Sequence, residues 1–204
     1  MTVSLPFGAA ASHVSLRKVE ETDRKRIFAW RNSADVAPFM YSDHEISQSE
    51  HDRWYDALIA DDDRLYWVVS LNGEPVGLAN FADLDFKNKR CAWAYYLADP
   101  SVRGRGVGSF VEFWMIEYAF NVLNLQKLWC EVILTNEAVW RLHMTHGFQR
   151  EALFRGHVVK AGTPVDVVGL GLLAEDWRAI RPAARERLID KGYATETLDT
   201  PIPD

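Results

Sequence analysis

Between Trp93 and Val122 an aromatic run, a turn holding three glycines and two arginines, and a long apolar-periodic stretch follow one another, and few folds accommodate that order. Trp93-Ala94-Tyr95-Tyr96-Leu97 favours a strand because aromatic side chains suit a pleated surface, and Asp99-Pro100-Ser101 stops it. After Arg103-Gly104-Arg105-Gly106-Val107-Gly108, the apolar residues Val107, Phe110, Val111, Trp114, Tyr118 and Val122 recur at helical intervals. A strand feeding a glycine turn feeding a helix leaves backbone N–H groups open at the helix start, where the macrodipole also favours negative charge. Arg103 and Arg105 add donor forks suited to phosphate. The turn is not a P-loop, which ends in Gly-Lys-Ser/Thr, nor a dinucleotide fingerprint, whose first glycine would stand where Arg103 does.

The 204 residues suit one domain, expected over 13–190, with a flexible leader at 1–12 and a flexible tail at 191–204. A net charge of -6 argues against a general nucleic-acid binder, whose affinity comes from clustered Lys and Arg. An acidic chain that binds an anion must attract it by local geometry, and the Arg103–Ser109 turn is where the sequence concentrates the means. No apolar run reaches membrane-spanning length and the N-terminus lacks the order of a secretion signal, so a cytoplasmic protein without a membrane partner is expected. Cys91 and Cys130 fall in expected strands without metal-ligand spacing and read as reduced core thiols; no metal is expected.

Along the chain, a strand is expected at His13–Val19, then a helix capped by Thr22, with Glu20–Arg24 and Glu21–Lys25 as charge pairs on a solvated face. Val36–Ile46 has no periodicity and reads as a loop. Ser47 and Glu50 form a capping box for a helix with His51, Trp54, Tyr55 and Leu58 facing inward. Strands follow at Leu65–Leu71, Val76–Leu84 and Arg90–Ala98, the first two joined by Asn72-Gly73 extended through Glu74-Pro75. After the Ser109–Val122 helix come a strand at Lys127–Leu134, a helix at Asn136–His146 stopped by Gly147, strands at Phe148–Val159 and Val165–Leu173, and a helix at Ala174–Asp190.

Arg-x-x-Gly-x-Gly between a strand and a helix resembles the acetyl-CoA diphosphate loop of the GNAT N-acetyltransferases. Asn136, Leu142 and Gly147-Phe148 match a second motif of that family at the right separation, and the element order matches over His13–Trp177. The resemblance implies an α/β (α+β) fold with a mixed, mostly antiparallel sheet whose middle strands splay apart. It also implies acetyl-CoA as co-substrate, held by Tyr96, Leu97, Val102, Arg103, Gly104, Arg105, Gly106, Val107, Gly108, Ser109, Asn136 and His143. A homodimer is compatible with it.

Acetyl transfer to an amine needs a deprotonated nucleophile, charge stabilisation at the thioester oxygen and a proton for the departing thiolate. By the resemblance, the N–H of Leu97 or a neighbour polarises the thioester. His143 stands where the family carries a thiolate-protonating tyrosine; it either keeps that role or merely hydrogen-bonds the cofactor. Glu131 is the carboxylate inside the Lys127–Leu134 strand, where burial would tune it as a base acting directly or through a water; the alternative is a structural hydrogen-bonding role. Asn80 and Tyr95 are expected in the same cleft, His44 and Glu45 are further candidates on the aromatic loop, and His146 is expected to be solvated.

The acceptor-side stretch reads Trp30-Arg31-Asn32, Met40 to Ser47, Glu50-His51 and Trp54. It resembles the branch of the family acting in pseudaminic acid biosynthesis, a route to flagellin glycosylation. That resemblance implies acetylation of the 4-amino group of UDP-4-amino-4,6-dideoxy-N-acetyl-β-L-altrosamine. Arg31, Asn32, Tyr41 and His44 would supply donors for such a UDP-amino sugar, while Met40 and Trp54 supply flat apolar surface. The alternatives are a protein N-terminus, a polyamine drawing on Asp61–Asp63, Asp83 and Asp85, or a non-catalytic acyl-CoA-binding module.

Overall fold

The computed structural model describes residues 14–61, 64–195 and 198. Its strands are β1 (Val14–Lys18), β2 (Tyr66–Leu71), β3 (Glu74–Asp85), β4 (Arg90–Leu97), β5 (Lys127–Ile133), β6 (Gln149–Lys160) and β7 (Thr163–Leu173). They form one seven-stranded sheet in the order β1-β2-β3-β4-β5-β7-β6. The helices are α1 (Arg24–Arg31), α2 (Gln48–Ile59), α3 (Val107–Glu117), α4 (Glu137–Thr145) and α5 (Ala174–Asp190). None among the described residues is long and apolar enough to cross a membrane.

All pairings but one are antiparallel, and two of them, β2–β3 and β6–β7, are set by two-residue turns. Asn72 and Gly73 both have positive φ, 55° and 83°, the conformation a tight hairpin requires, and Leu71 pairs directly with Glu74. Glu74 and Pro75 therefore belong to β3 and do not extend the turn. Ala161 and Gly162 close the β6–β7 hairpin in the same way, with φ of 48° and 74° and Lys160 opposite Thr163.

β4 and β5 are the exception. They run parallel and share only the rungs Arg90↔Lys127, Cys91↔Leu128 and Ala92↔Trp129. Beyond those rungs β4 keeps its partner on the β3 side, with Leu97 opposite Gly77, while β5 keeps β7, with Ile133 opposite Val167. The middle of the sheet thus opens into a V whose facing backbone edges have no ladder partner.

Alternation along the strands separates two cores. Trp67 and Val69 point into the large cluster with Phe81, Trp93, Leu128, Phe110, Phe113 and Trp177, while Val68 between them packs with Ile27, Tyr55, Leu58 and Leu78. The first cluster anchors α3 and α5 on one face; the second anchors α1 and α2 on the other. α5 is also fastened to α3 by Glu117, which accepts from Trp177 Nε1 at 2.6 Å and from Arg181 Nε at 2.9 Å. α3 runs on as a π turn over Tyr118–Val122.

Ser47 caps α2, its hydroxyl accepting from the Glu50 N–H at 3.3 Å. The start of α1 differs from the sequence expectation. A short 3-10 turn, Glu21–Asp23, precedes it, and Asp23, not Thr22, reaches back to the Glu20 N–H at 3.0 Å. Asp23 is fully buried; burial pushes its carboxyl up, but Arg17 at 2.7 and 2.8 Å outweighs this and its pKa is lowered. Arg24 pairs with Glu21 and across to Asp56 on α2, both at 2.6 Å, in place of the expected Glu20 pair.

The expected flexible tail needs correction at its start. Tyr193 is 2% exposed and stacks on Phe110, with ring centroids 4.8 Å apart, and Leu198 is also buried. The expected leader at 1–12 and the far C-terminal residues lie outside the described residues.

Candidate active site

The glycine turn stands at the mouth of the V. Gly104 and Gly106 adopt φ of 74° and 80°, left-handed conformations that other residues enter at a cost of about 1 kcal/mol or more. A Cβ added at Gly104 would meet nothing within 4 Å, so a ligand can approach its backbone closely. The N–H groups of Arg103 and Arg105 close the turn itself, on Pro100 O at 3.1 Å and Val102 O at 3.2 Å, and are not open to a ligand as an unbroken row of amides would be. At the first turn of α3, the Val107, Gly108 and Ser109 N–H groups have no carbonyl one turn back within the helix. Val102 is buried and anchors the turn, while Arg103 Nη2 is 2.8 Å from Asp35 Oδ1 in the loop between α1 and α2. This set fits a diphosphate: an open glycine, helix-start donors and two guanidinium groups. Asn136 sits at the N-terminus of α4, its carbonyl accepting from Val139 N–H at 3.2 Å.

Behind the turn lies a buried charge cluster in which Glu112, on α3, is the residue the sequence reading missed. Glu112 is fully buried. Its Oε1 lies 2.9 Å from His143 Nδ1 and accepts from the Tyr95 hydroxyl at 3.1 Å; its Oε2 lies 2.9 Å from His146 Nδ1. Burial opposes both charges of the Glu112–His143 pair, but their mutual attraction outweighs it, holding the carboxyl down at about 2 and lifting the imidazole to about 10. Cys130, the first residue of β5 past the parallel rungs, is buried and also helps raise the His143 pKa. His146 is only 2% exposed, correcting the expectation that it is solvated. Helical spacing put Glu112 on no visible polar face, and only its histidine partners on α4 explain it.

On the other face of the sheet, α1, the following loop and α2 close a cavity of about 250 Å³ over β3 and β4. Arg31, Met40, Trp54, Asn80, Tyr95 and Tyr96 of the expected site residues line it together, joined by Glu50, His51 and Tyr66. The Tyr95 hydroxyl is turned away from it, to Glu112. Arg31 Nε and the Tyr96 hydroxyl are buried without a hydrogen-bond partner among the described residues. His51 Nε2 donates to Arg24 O at 2.8 Å, and burial lowers its pKa, which keeps the ring neutral.

Four expected acceptor residues are placed elsewhere. Asn32 spends its amide on Ile46, donating to its O and accepting from its N–H, both at 2.9 Å, and so shapes the loop. His44 is exposed and pairs with Glu50 at 3.0 Å, and Glu45 is exposed. Tyr41 donates to Glu131 Oε2 at 2.6 Å, tying the loop to β5. Lys160, beside the β6–β7 turn, also holds the loop, donating to the carbonyls of Ala37, Met40 and Ser42 at 3.3, 2.9 and 2.7 Å.

The sequence model of the acetyltransferase (GNAT) domain matches residues 13–149. The chain belongs to the GNAT acetyltransferase family. Among its curated relatives, acetyltransferase PseH of Campylobacter jejuni is 30% identical over 124 residues, covering 61% of this chain and 75% of that protein. Spermidine N(1)-acetyltransferase of Escherichia coli is 27% identical over 142 residues, covering 70% and 76%. The spermidine N-acetyltransferase of Vibrio cholerae, solved with CoA and spermine, superposes with a TM-score of 0.75 at 21% identity, over 82% of this chain and 99% of that one, and so shares the fold. As a GNAT acetyltransferase the protein is an acetyl-CoA-dependent enzyme, which sets aside the non-catalytic module, and the open V of its sheet is the family's splayed centre.

Proposed function

We propose that this GNAT acetyltransferase acetylates the 4-amino group of a UDP-linked amino-dideoxy sugar, in the cytoplasm, on the route to pseudaminic acid and flagellin glycosylation. The observation that carries the reading is the charge of the acceptor cavity: among the described residues, the Arg31 guanidinium lines it with a buried Nε that has no hydrogen-bond partner, and the one lining carboxylate, Glu50, is engaged by His44. Such a lining suits an anionic acceptor. A polycation wants converging carboxylates, yet among the described residues Asp61 and Asp85 are held by Arg64 and Arg90 and neither they nor Asp83 line the cavity, while Asp62 and Asp63 lie outside the described residues. Met40 and Trp54 offer apolar surface to a deoxy-sugar methyl or a base.

In this reading the donor supplies the activated acetyl group, and the chain's residues align it with the amine, which attacks directly. His51, neutral and set in the cavity wall, takes the amine proton on Nδ1, its Nε2 being committed to Arg24 O. Glu131 and Tyr41 hold the acceptor loop against β5. His143, kept cationic by Glu112, is the proton source for the departing thiolate.

The competing acceptor is a polyamine, favoured by the likeness to spermidine N(1)-acetyltransferase. Steady-state kinetics with acetyl-CoA and the UDP-amino sugar, spermidine or an N-terminal peptide decides among them. The proposal expects the sugar nucleotide to have the highest kcat/KM and Arg31→Met to lower it at least tenfold; a preference for spermidine unaffected by Arg31→Met overturns it.

A further inference from the structure

The C-terminal end of α5 lies beyond the matched domain and returns to the glycine turn. Tyr193 N–H bonds Leu188 O at 3.0 Å and Gly192 N–H bonds Ile189 O at 2.7 Å, with Gly192 at φ 86°, the glycine-capped helix end that reverses the chain. The reversal seats Tyr193 flat on Phe110 and brings its hydroxyl to 3.4 Å from Gly106 O. Lys191, two residues earlier, then crosses Gly106, its Cδ only 3.3 Å from where a Cβ there would stand, and its Nζ donates to Ser109 Oγ at 2.8 Å.

We propose that Lys191 is a cofactor-binding residue, delivering a third cation, with Arg103 and Arg105, to the diphosphate of acetyl-CoA at the start of α3. Its surroundings otherwise make little sense of an ammonium group. It stands at the positive end of a helix, where a cation is disfavoured, and its hydrogen bond there goes to a neutral hydroxyl. Arg187 repels it, and the carboxylate that attracts it, Glu112, is already engaged by His143 and the Tyr95 hydroxyl. Burial adds to this, lowering its pKa. An arriving phosphate supplies the counter-charge that no described residue has free to give. The helix start, Gly106 and Ser109 are shared with the family's loop, but the lysine comes from outside residues 13–149.

The test is calorimetric titration of the full chain with acetyl-CoA and with acetyl-pantetheine, which lacks the diphosphate and nucleotide. Lys191→Gln should weaken acetyl-CoA at least about tenfold, the effect of one charge-assisted phosphate contact, and leave acetyl-pantetheine unchanged, while Lys191→Arg stays close to the parent. Tyr193→Ala, which unseats the segment, should show the same selective loss if Lys191→Gln folds poorly. Equal affinity for acetyl-CoA, tighter binding, or an equal loss for acetyl-pantetheine overturns the assignment. No acceptor enters this measurement, so its failure leaves the sugar-nucleotide reading intact, and the reverse holds.

Discussion

The Tyr41 hydroxyl donates to Glu131 Oε2 at 2.6 Å, fastening the acceptor loop to the strand that forms one arm of the V. Burial, and then the carboxylate, raise the phenol pKa, so the hydroxyl stays protonated and donating across the working pH range. Removing it in Tyr41→Phe costs about 1 to 1.5 kcal/mol of loop placement, the scale of one hydrogen bond. The acceptor KM should therefore rise about fivefold to tenfold while the acetyl-CoA KM holds. Steady-state kinetics varying each substrate in turn checks the split.

Lys160 is a second fastening. Three loop carbonyls converge on its ammonium group, so Lys160→Ala leaves them unsatisfied at about 1 to 3 kcal/mol. The expected outcome is a melting temperature several degrees lower and a larger loss of acceptor affinity than in Tyr41→Phe. An unchanged melting curve would contradict it.

The buried pair predicts how stability follows pH. For Glu112, whose folded pKa is depressed from 4.5 to about 2, the contribution is complete above 4.5 and is lost as pH falls through 2. For His143, raised from 6.5 to about 10, it is complete below 6.5 and is lost as pH rises through 10. Thermal melts should show this pair's contribution on a plateau between 4.5 and 6.5 with a long alkaline decline, and the double change Glu112→Gln, His143→Phe should flatten that decline.

Catalysis should follow pH through a different histidine. Burial lowers the His51 pKa, so the acid limb of kcat/KM should fall below pH 6.5. His51→Gln should abolish that limb and lower the rate about a hundredfold or more, the usual worth of a general base. A limb that persists in the variant assigns the base elsewhere.

Replacing both Arg103 and Arg105 by alanine should weaken acetyl-CoA by a few kcal/mol, since each charge-assisted contact is worth about 1.5 to 3. Arg103 also binds Asp35, so the double variant should raise the acceptor KM slightly as well. Titration with acetyl-CoA, followed by acceptor kinetics at saturating donor, measures both.

How much of this was legible in the sequence depended on whether a signal was local. Asn72-Gly73, Ser47 with Glu50, and the strand–glycine–helix order each act through neighbouring backbone, and each was found in place. Thr22 caps nothing among the described residues, because Asp23, fixed by Arg17 on β1, closes the short turn before α1 by accepting from the Glu20 N–H, and the Arg17 contact is tertiary, which no window reveals. Asn32 and His44 looked like substrate donors by type, but Ile46 and Glu50 claim their polar atoms. Glu112 and Lys191 were missed for one reason: each takes its meaning from a partner more than thirty residues away or from an anion that the chain does not contain.

The three rungs between β4 and β5 carry a last implication. So narrow a seam leaves the two arms of the sheet tied along the V by packing more than by backbone bonds, and a ligand arm laid between them would complete the weave. The donor is then a structural member while it is bound, so hydrogen exchange along Trp93–Leu97 and Cys130–Ile133 should slow when it arrives and quicken each time the spent thiol departs.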